Sequence, residues 1–241
     1  MSVPEARADG PPGAPARGVA VVELFTSEGC SSCPPADALL ADLARSSDPA
    51  MYALAFHVDY WDDLGWPDRF ASGNNTARQR EYARVFGARG LYTPQMIVDG
   101  TEQFTGSDRD HAAAAIARAL ARPASARLSV HARSIGPTSL TVDYEAREAP
   151  EGSVLNLALV EHAASTAVAA GENAGKTLHH TNVVRAFLAA PLAAPTGSAL
   201  MKLPMSRLPD DAEIIAYVQR ATPEGPGMPV LGAARAPIAR P

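Results

Sequence analysis

Cysteine is nearly absent: two residues in 241, both within one short stretch, Cys30-Ser31-Ser32-Cys33. No disulfide can therefore tie distant parts of the chain together, and the fold must rest on core packing. Cysteine usage this sparse does not disclose a redox compartment. Positive charge is also scarce. Lys and Arg number 21 against 26 Asp and Glu, a net charge of −5 with no long basic run, so nucleic-acid binding has no electrostatic support. No apolar run approaches the ~20 residues that cross a bilayer, and the chain reads as soluble, without a transmembrane segment. Residues 1–17 mix Pro, Gly, Ala and charges without an apolar h-region. They are expected to form a disordered leader rather than a signal peptide. No internal repeat and no metal-type cysteine cluster is present.

What the chain does have is an apolar run, Val19–Phe25, leading straight into the two cysteines, with a helix-forming stretch, Ala36–Arg45, directly after them. A C-x-x-C between strand and helix suits dithiol chemistry. A helix N-terminus presents unpaired N–H groups and the positive end of its dipole, which favour a thiolate on the first sulfur. The second cysteine, one turn on, can attack a mixed disulfide and resolve it. On this reading Cys30 should be the more exposed and more acidic sulfur.

Patterning along residues 18–122 alternates strand and helix: a second strand at Met51–Val58, a turn-rich aromatic segment at Asp59–Asn75, and a helix at Thr76–Phe86 stopped by Gly87. A strand at Gln95–Val98 turns at Asp99-Gly100 into a hairpin partner, Glu102–Phe104, before a helix at Asp108–Ala121. From Pro123 the texture shifts to short strands: Arg127–Ile135, Ser139–Ala146, Val154–His162, Asn182–Ala190, Ser198–Met205 and Ala212–Ala221. The fold expected is an α/β thioredoxin-like domain at 18–122, followed at 123–241 by a mainly antiparallel β-sandwich domain packed against it. The Pro/Gly-rich tail from Pro223 should lie as a surface strap.

The order of elements, with Cys30-Ser31-Ser32-Cys33 and Tyr92-Thr93-Pro94-Gln95, resembles the thioredoxin-like superfamily. The run Glu23–Asp37 (Glu-Leu-Phe-Thr-Ser-Glu-Gly-Cys-Ser-Ser-Cys-Pro-Pro-Ala-Asp) looks like the signature of a bacterial, usually secreted family known as a thioredoxin-like domain of unknown function. Gly171–Leu178 and Asn182–Arg185 look like that family too. The resemblance implies Cys30 as attacking thiolate, Cys33 as resolving thiol, and Pro94 as a cis-proline facing them. It further implies Thr93 as a backbone site for an extended substrate, and Glu23 as a buried acid relaying protons to Cys33. It points to a periplasmic or secreted location.

Each signal has a plainer reading beside it. The cysteines could be small buried hydrophobes or half of a zinc site, with His57 the only nearby histidine to help. His57–Asp63 could bind a metal or be an acidic turn after a strand, and Trp61 and Trp66 could be core or a peptide rim. His179-His180 reads as solvated or capping, and Asn173–Thr177 lacks the setting of a P-loop. Two functions follow: a thiol-disulfide oxidoreductase acting, without cofactor, on a protein or small disulfide with a separate redox partner; or a non-catalytic binding module holding copper or a peptide through the cysteines.

Overall fold

A computed structural model describes residues 17–220 and 228–240. The expected leader thus lies, but for Arg17, outside the described residues. In chain order the elements are β1 (Ala20–Thr26), α1 (Pro34–Ala44), β2 (Met51–His57), α2 (Gly73–Val85), β3 (Gln95–Val98), β4 (Glu102–Thr105) and α3 (Arg109–Ala121). There follow β5 (Arg127–Gly136), β6 (Ser139–Arg147), β7 (Ser153–Ala167), β8 (Thr177–Pro191), β9 (Thr196–Lys202), β10 (Ala212–Arg220) and β11 (Val230–Ala239). A single 3-10 turn, Asp62–Leu64, interrupts the segment after β2.

All eleven strands belong to one mixed sheet, in the order β4-β3-β1-β2-β8-β7-β10-β11-β5-β6-β9. This corrects the expected architecture. No thioredoxin-like domain stands apart from a following sandwich, because β8 from the second half lies beside β2 in the first. The two run parallel with Ala55 opposite Val183, and the Asn182 side-chain amide donates to the Ala53 carbonyl at 3.0 Å. The expected surface strap is also overturned where the tail is described: β11 sits inside the sheet, antiparallel to β10 and parallel to β5.

The sheet is rolled, and its alternation shows how. On β1, Val22 and Leu24 face Ala36, Leu39 and Leu40 of α1, together with Ala112 and Ile116 of α3. Val21 and Phe25, one residue out of phase, face Tyr82 of α2 and also Ala158, Val160, Ile215 and Tyr217 of β7 and β10. The other faces of β7 and β10, carrying Leu157, Leu159, Ile214 and Val218, close over Val130, Leu140 and Val142 of β5 and β6. One sheet folded onto itself in this way does the work assigned from the sequence to two domains.

Local chemistry sets the element ends. Pro34 and Pro35 open α1, where the missing N–H groups cost nothing. Ser72 caps α2 by accepting from the Asn75 N–H, so this helix begins at Gly73, earlier than its apolar pattern suggests. The turn after β3 places both Asp99 and Gly100 at positive φ. A side chain at Gly100 would run into the Met228 carbonyl, which fixes glycine there.

A buried polar network spans the interior. The Glu23 carboxylate accepts from Arg78 Nε (3.0 Å) and Nη2 (2.7 Å), and from the Tyr217 hydroxyl. Arg78 also donates to the Tyr82 hydroxyl and to Gln219 Oε1, each at 2.9 Å, and Asn156 donates to that same Gln219 oxygen at 3.1 Å. Removing one charge from such a pair strands the other in low dielectric, at a cost of about 3–5 kcal/mol. Arg78→Met should therefore lower the urea unfolding free energy by about that amount, and adding Glu23→Gln should recover a large part of it. Strictly additive losses in the double variant would contradict this coupling.

Candidate functional site

The two cysteines close β1 and open α1. Cys33 is the N-cap of α1, accepting at its carbonyl from the N–H groups of Ala36 (2.9 Å) and Asp37 (3.0 Å), while its own N–H donates to the Cys30 carbonyl at 3.2 Å. The sulfurs are joined as a disulfide, with Cα atoms 5.5 Å apart. Ser32 places its hydroxyl 3.3 Å from Cys30 Sγ. Both cysteines are fully enclosed, at 0% exposure, although Ser31 and Ser32 between them are exposed. The expectation of an exposed Cys30 is thus corrected: the motif shows its serines to solvent and keeps its sulfurs covered.

Pro94 arrives beside this site. A methyl group on Gly106 would sit 3.0 Å from Pro94 Cβ and 3.1 Å from Ala36 Cβ, so Pro94 and the first turn of α1 flank the same glycine. The Thr93–Pro94 bond is cis. Thr93 is held through its hydroxyl, which accepts from Trp61 Nε1 at 2.9 Å. Trp61 in turn packs on the cysteine loop, its Cβ lying 3.2 Å from where a Gly29 side chain would begin. Trp61 therefore spans from the loop to Thr93.

Glu23 is not brought to the cysteines. It lies on the β1 face opposite α1, held by Arg78 and Tyr217, so the expected relay to Cys33 is corrected on grounds of sheet parity. The acid on the α1 side is Asp37, one turn beyond Cys33. Its carboxyl turns inward to accept from the Thr26 hydroxyl at 2.8 Å, and burial pushes it above the ordinary carboxyl range.

Beneath the loop lies a second set of ionisable groups that motif reasoning did not assemble. His57 Nδ1 is 2.6 Å from Asp68 Oδ2, both fully buried. Glu28, two residues before Cys30, meets His180 Nε2 at 3.1 Å and accepts from Trp66 Nε1 at 2.8 Å. The His57 and His180 rings meet edge to face, centroids 4.7 Å apart. Burial opposes charge on His57, but Asp68, with Asp37 and Glu28 behind it, raises the imidazole above its ordinary value. Burial likewise opposes Asp68, and the charge and hydrogen bond of His57 bring it below the ordinary value. For Glu28, burial is outweighed by the bonds from His180 and Trp66, and the net direction is downward. His180 is thus a buried partner and not a solvated residue, whereas His179 is exposed. Among the described residues no cluster of His, Cys, Asp and Glu has the makings of a metal site. Asp59 and Asp62, read from the sequence as possible ligands, instead accept from the Thr76 hydroxyl and the Asp68 N–H.

The far half of the chain completes the site. At the tip of the β7–β8 hairpin, Glu172 accepts from the Ser31 N–H at 2.9 Å. Asn173, fully buried, donates to the carbonyls of Glu28 (2.9 Å) and Cys30 (3.0 Å). The sequence marked Gly171–Leu178 as family-like without assigning it a place, and that was the available signal.

The raised His57 carries a pH consequence. Its contribution to stability is complete below its unfolded value of 6.5 and is lost as pH rises through the higher folded value. Asp37, raised by burial, adds loss in the same direction at lower pH, while the lowered Asp68 and Glu28 lose theirs only in acid. Unfolding midpoints in urea should therefore fall as pH rises above 6.5, and His57→Gln should flatten that slope. An equal slope in the variant would remove His57 as its source.

Comparison with known proteins gives kinship without an activity. No curated protein is detectably similar in sequence. A crystal structure of an Agrobacterium tumefaciens protein superposes with a TM-score of 0.66 at 27% identity, covering 90% of this chain and 94% of that one. The profile of a family described as "Protein of unknown function (DUF1223)" matches residues 21–219, a span from β1 to β10 that includes both the cysteine loop and the hairpin that grips it. The chain belongs to this DUF1223 family.

Proposed function

We propose that the protein is a thiol-disulfide oxidoreductase whose working group is Cys30–Cys33, with local likeness to thioredoxin-like proteins in the β1–C-x-x-C–α1 unit and the neighbouring Pro94. One observation carries this reading: the only two cysteines are joined at the N-terminus of a helix, three positions apart. As a structural staple such a bond has little to offer. Closing a loop of about four residues restricts the unfolded chain by about 2 kcal/mol, against about 4.7 for a hundred-residue loop. As a redox pair the same closeness is an advantage, since the resolving thiol is always within reach.

In the reductive direction, Cys30 thiolate attacks a partner disulfide, one partner sulfur leaves as thiolate, and Cys33 then attacks Cys30 in the mixed disulfide. The Cys30–Cys33 bond forms and the partner leaves as a dithiol; the two electrons gained by the partner are those the cysteines lose. In this reading Asp37, one turn beyond Cys33 and raised by burial, serves as the base whose carboxylate accepts the proton Cys33 gives up. In this reading Pro94 and Thr93 supply the backbone along which a partner would lie. The location in this reading is periplasmic or secreted, with a separate redox partner to keep the pair cycling.

The test is turnover of a protein disulfide such as insulin with dithiothreitol as electron source. The native protein should accelerate it, Cys30→Ser should abolish it, and Cys33→Ser should accumulate a mixed disulfide through Cys30. Native, Cys30→Ser and Cys33→Ser proteins all behaving as the uncatalysed control would refute the proposal. Asp37→Asn should slow turnover about 100-fold or more with the disulfide still able to form.

A further inference from the structure

Consecutive residues at the β7–β8 tip hold one peptide unit from both of its edges. The Cys30 carbonyl accepts from the Asn173 amide, and the Ser31 N–H donates to the Glu172 carboxylate. These partners are more than 140 positions apart in sequence, so the contact belongs to the tertiary fold. The tip is itself a compact unit. Val168 and Lys176 close it (N–H to carbonyl 2.9 Å), Gly175 N–H returns to the Val168 carbonyl at 2.8 Å, and Lys176 Nζ donates to Asn173 Oδ1 at 2.9 Å. Gly171, at φ +74°, packs against Gly65, and a side chain on it would come within 3.0 Å of Trp66 Cβ. The tip is therefore fitted to the loop carrying Trp66 as well as to the cysteines. Below it, His180 of β8 anchors the hairpin to Glu28.

Against this stands the enclosure of both sulfurs. Exchange requires an incoming thiolate to approach Cys30 Sγ from the side opposite Cys33, and a fully covered sulfur offers no such path. We infer that the β7–β8 tip, residues 168–176, is the gate and specificity element of the dithiol: Glu172 and Asn173 must release the Cys30–Ser31 peptide before a partner can react. The inference rests on the redox reading for its biological meaning, but not for its chemistry. Asn173 is the main latch, because its amide is buried and holds two carbonyls. Glu172, exposed and held well by the Ser31 N–H, is the secondary one. A gate of this kind opens as a local fluctuation and not by global unfolding. It also selects by size, since a small thiol needs a smaller opening than a polypeptide.

The experiment is the reduction of the Cys30–Cys33 bond in the full chain by excess dithiothreitol, followed by alkylation and mass. One dithiothreitol thiolate attacks Cys30, Cys33 leaves as thiolate and takes a proton from solvent, and the second dithiothreitol sulfur closes to release Cys30. The native disulfide should react at least tenfold more slowly than the same bond in the urea-unfolded chain. Asn173→Ala should accelerate reduction about tenfold, the scale set by two lost buried hydrogen bonds, and Glu172→Gln by a smaller factor. Far-UV circular dichroism checks that each variant is folded. If Asn173→Ala does not fold, the exposed Glu172→Gln together with the native-to-unfolded ratio decides. Native and unfolded chains reacting alike, or folded variants showing the native rate, would overturn the gate. Insulin turnover separates the two claims: accelerated reduction in Asn173→Ala without turnover by any form keeps the gate and removes the oxidoreductase. Native turnover with unchanged variant rates does the reverse.

Discussion

The pairing of β8 with β2 is the constraint from which the rest follows. A strand beginning at residue 177 is inserted beside one beginning at 51, in parallel, and Asn182 ties its own side chain to the β2 backbone at Ala53. That single adjacency makes one sheet of two sequence halves. It brings His180 against His57 and carries the tip of β7–β8 over the cysteine loop. Without it, the dithiol would sit at an open strand-helix junction. With it, Glu172 and Asn173 hold the Cys30–Ser31 peptide of a disulfide whose cysteines are both buried.

Two buried polar systems flank the same strands and are built on different terms. Around Glu23 and Arg78 an ion pair is the centre, with Glu23 Oε2 and Asn156 Oδ1 left buried without a hydrogen-bond partner among the described residues, and the Arg78 guanidinium also lies over the Tyr82 and Phe187 rings at 4.8 and 4.7 Å. That network lies on the face of β1 that meets α2, β7 and β10. Beneath the cysteines the pairs are between carboxyls and imidazoles. His57 Nε2 and His180 Nδ1 are buried without a hydrogen-bond partner among the described residues. Three carboxyls, Glu28, Asp37 and Asp68, share two imidazoles.

Much of the first half could be read along the chain because its signals are local. Apolar runs gave β1 and β2, Asp108 capped α3, and Asp99-Gly100 announced the β3–β4 turn. The sheet order was not readable in the same way, since no local pattern states that β8 will seek β2 across more than a hundred residues. β11 was missed for a related reason: an Ala- and Pro-containing segment has weak strand preference of its own and takes its form from β10 and β5. The site divides similarly. Cys30, Cys33 and Pro94 follow from motif and position. Glu23 went wrong although its parity was legible, for a side chain one residue out of phase with Val22 and Leu24 must face away from α1. Asp37, Asp68 and His180 look like ordinary cap, turn and surface residues in sequence, and only the fold gathers them.

The central claim is that Cys30–Cys33 is a bond the protein makes and breaks without coming apart. The most direct measurement is an equilibrium titration of the full chain in glutathione buffers of graded ratio, read by the fluorescence of Trp61 and Trp66 and by far-UV circular dichroism. A redox-active pair predicts one reversible two-electron transition in fluorescence and alkylation state, with the circular dichroism of a folded sheet at both ends. Reduction that appears only together with loss of that sheet signal would make the disulfide a staple and contradict the account.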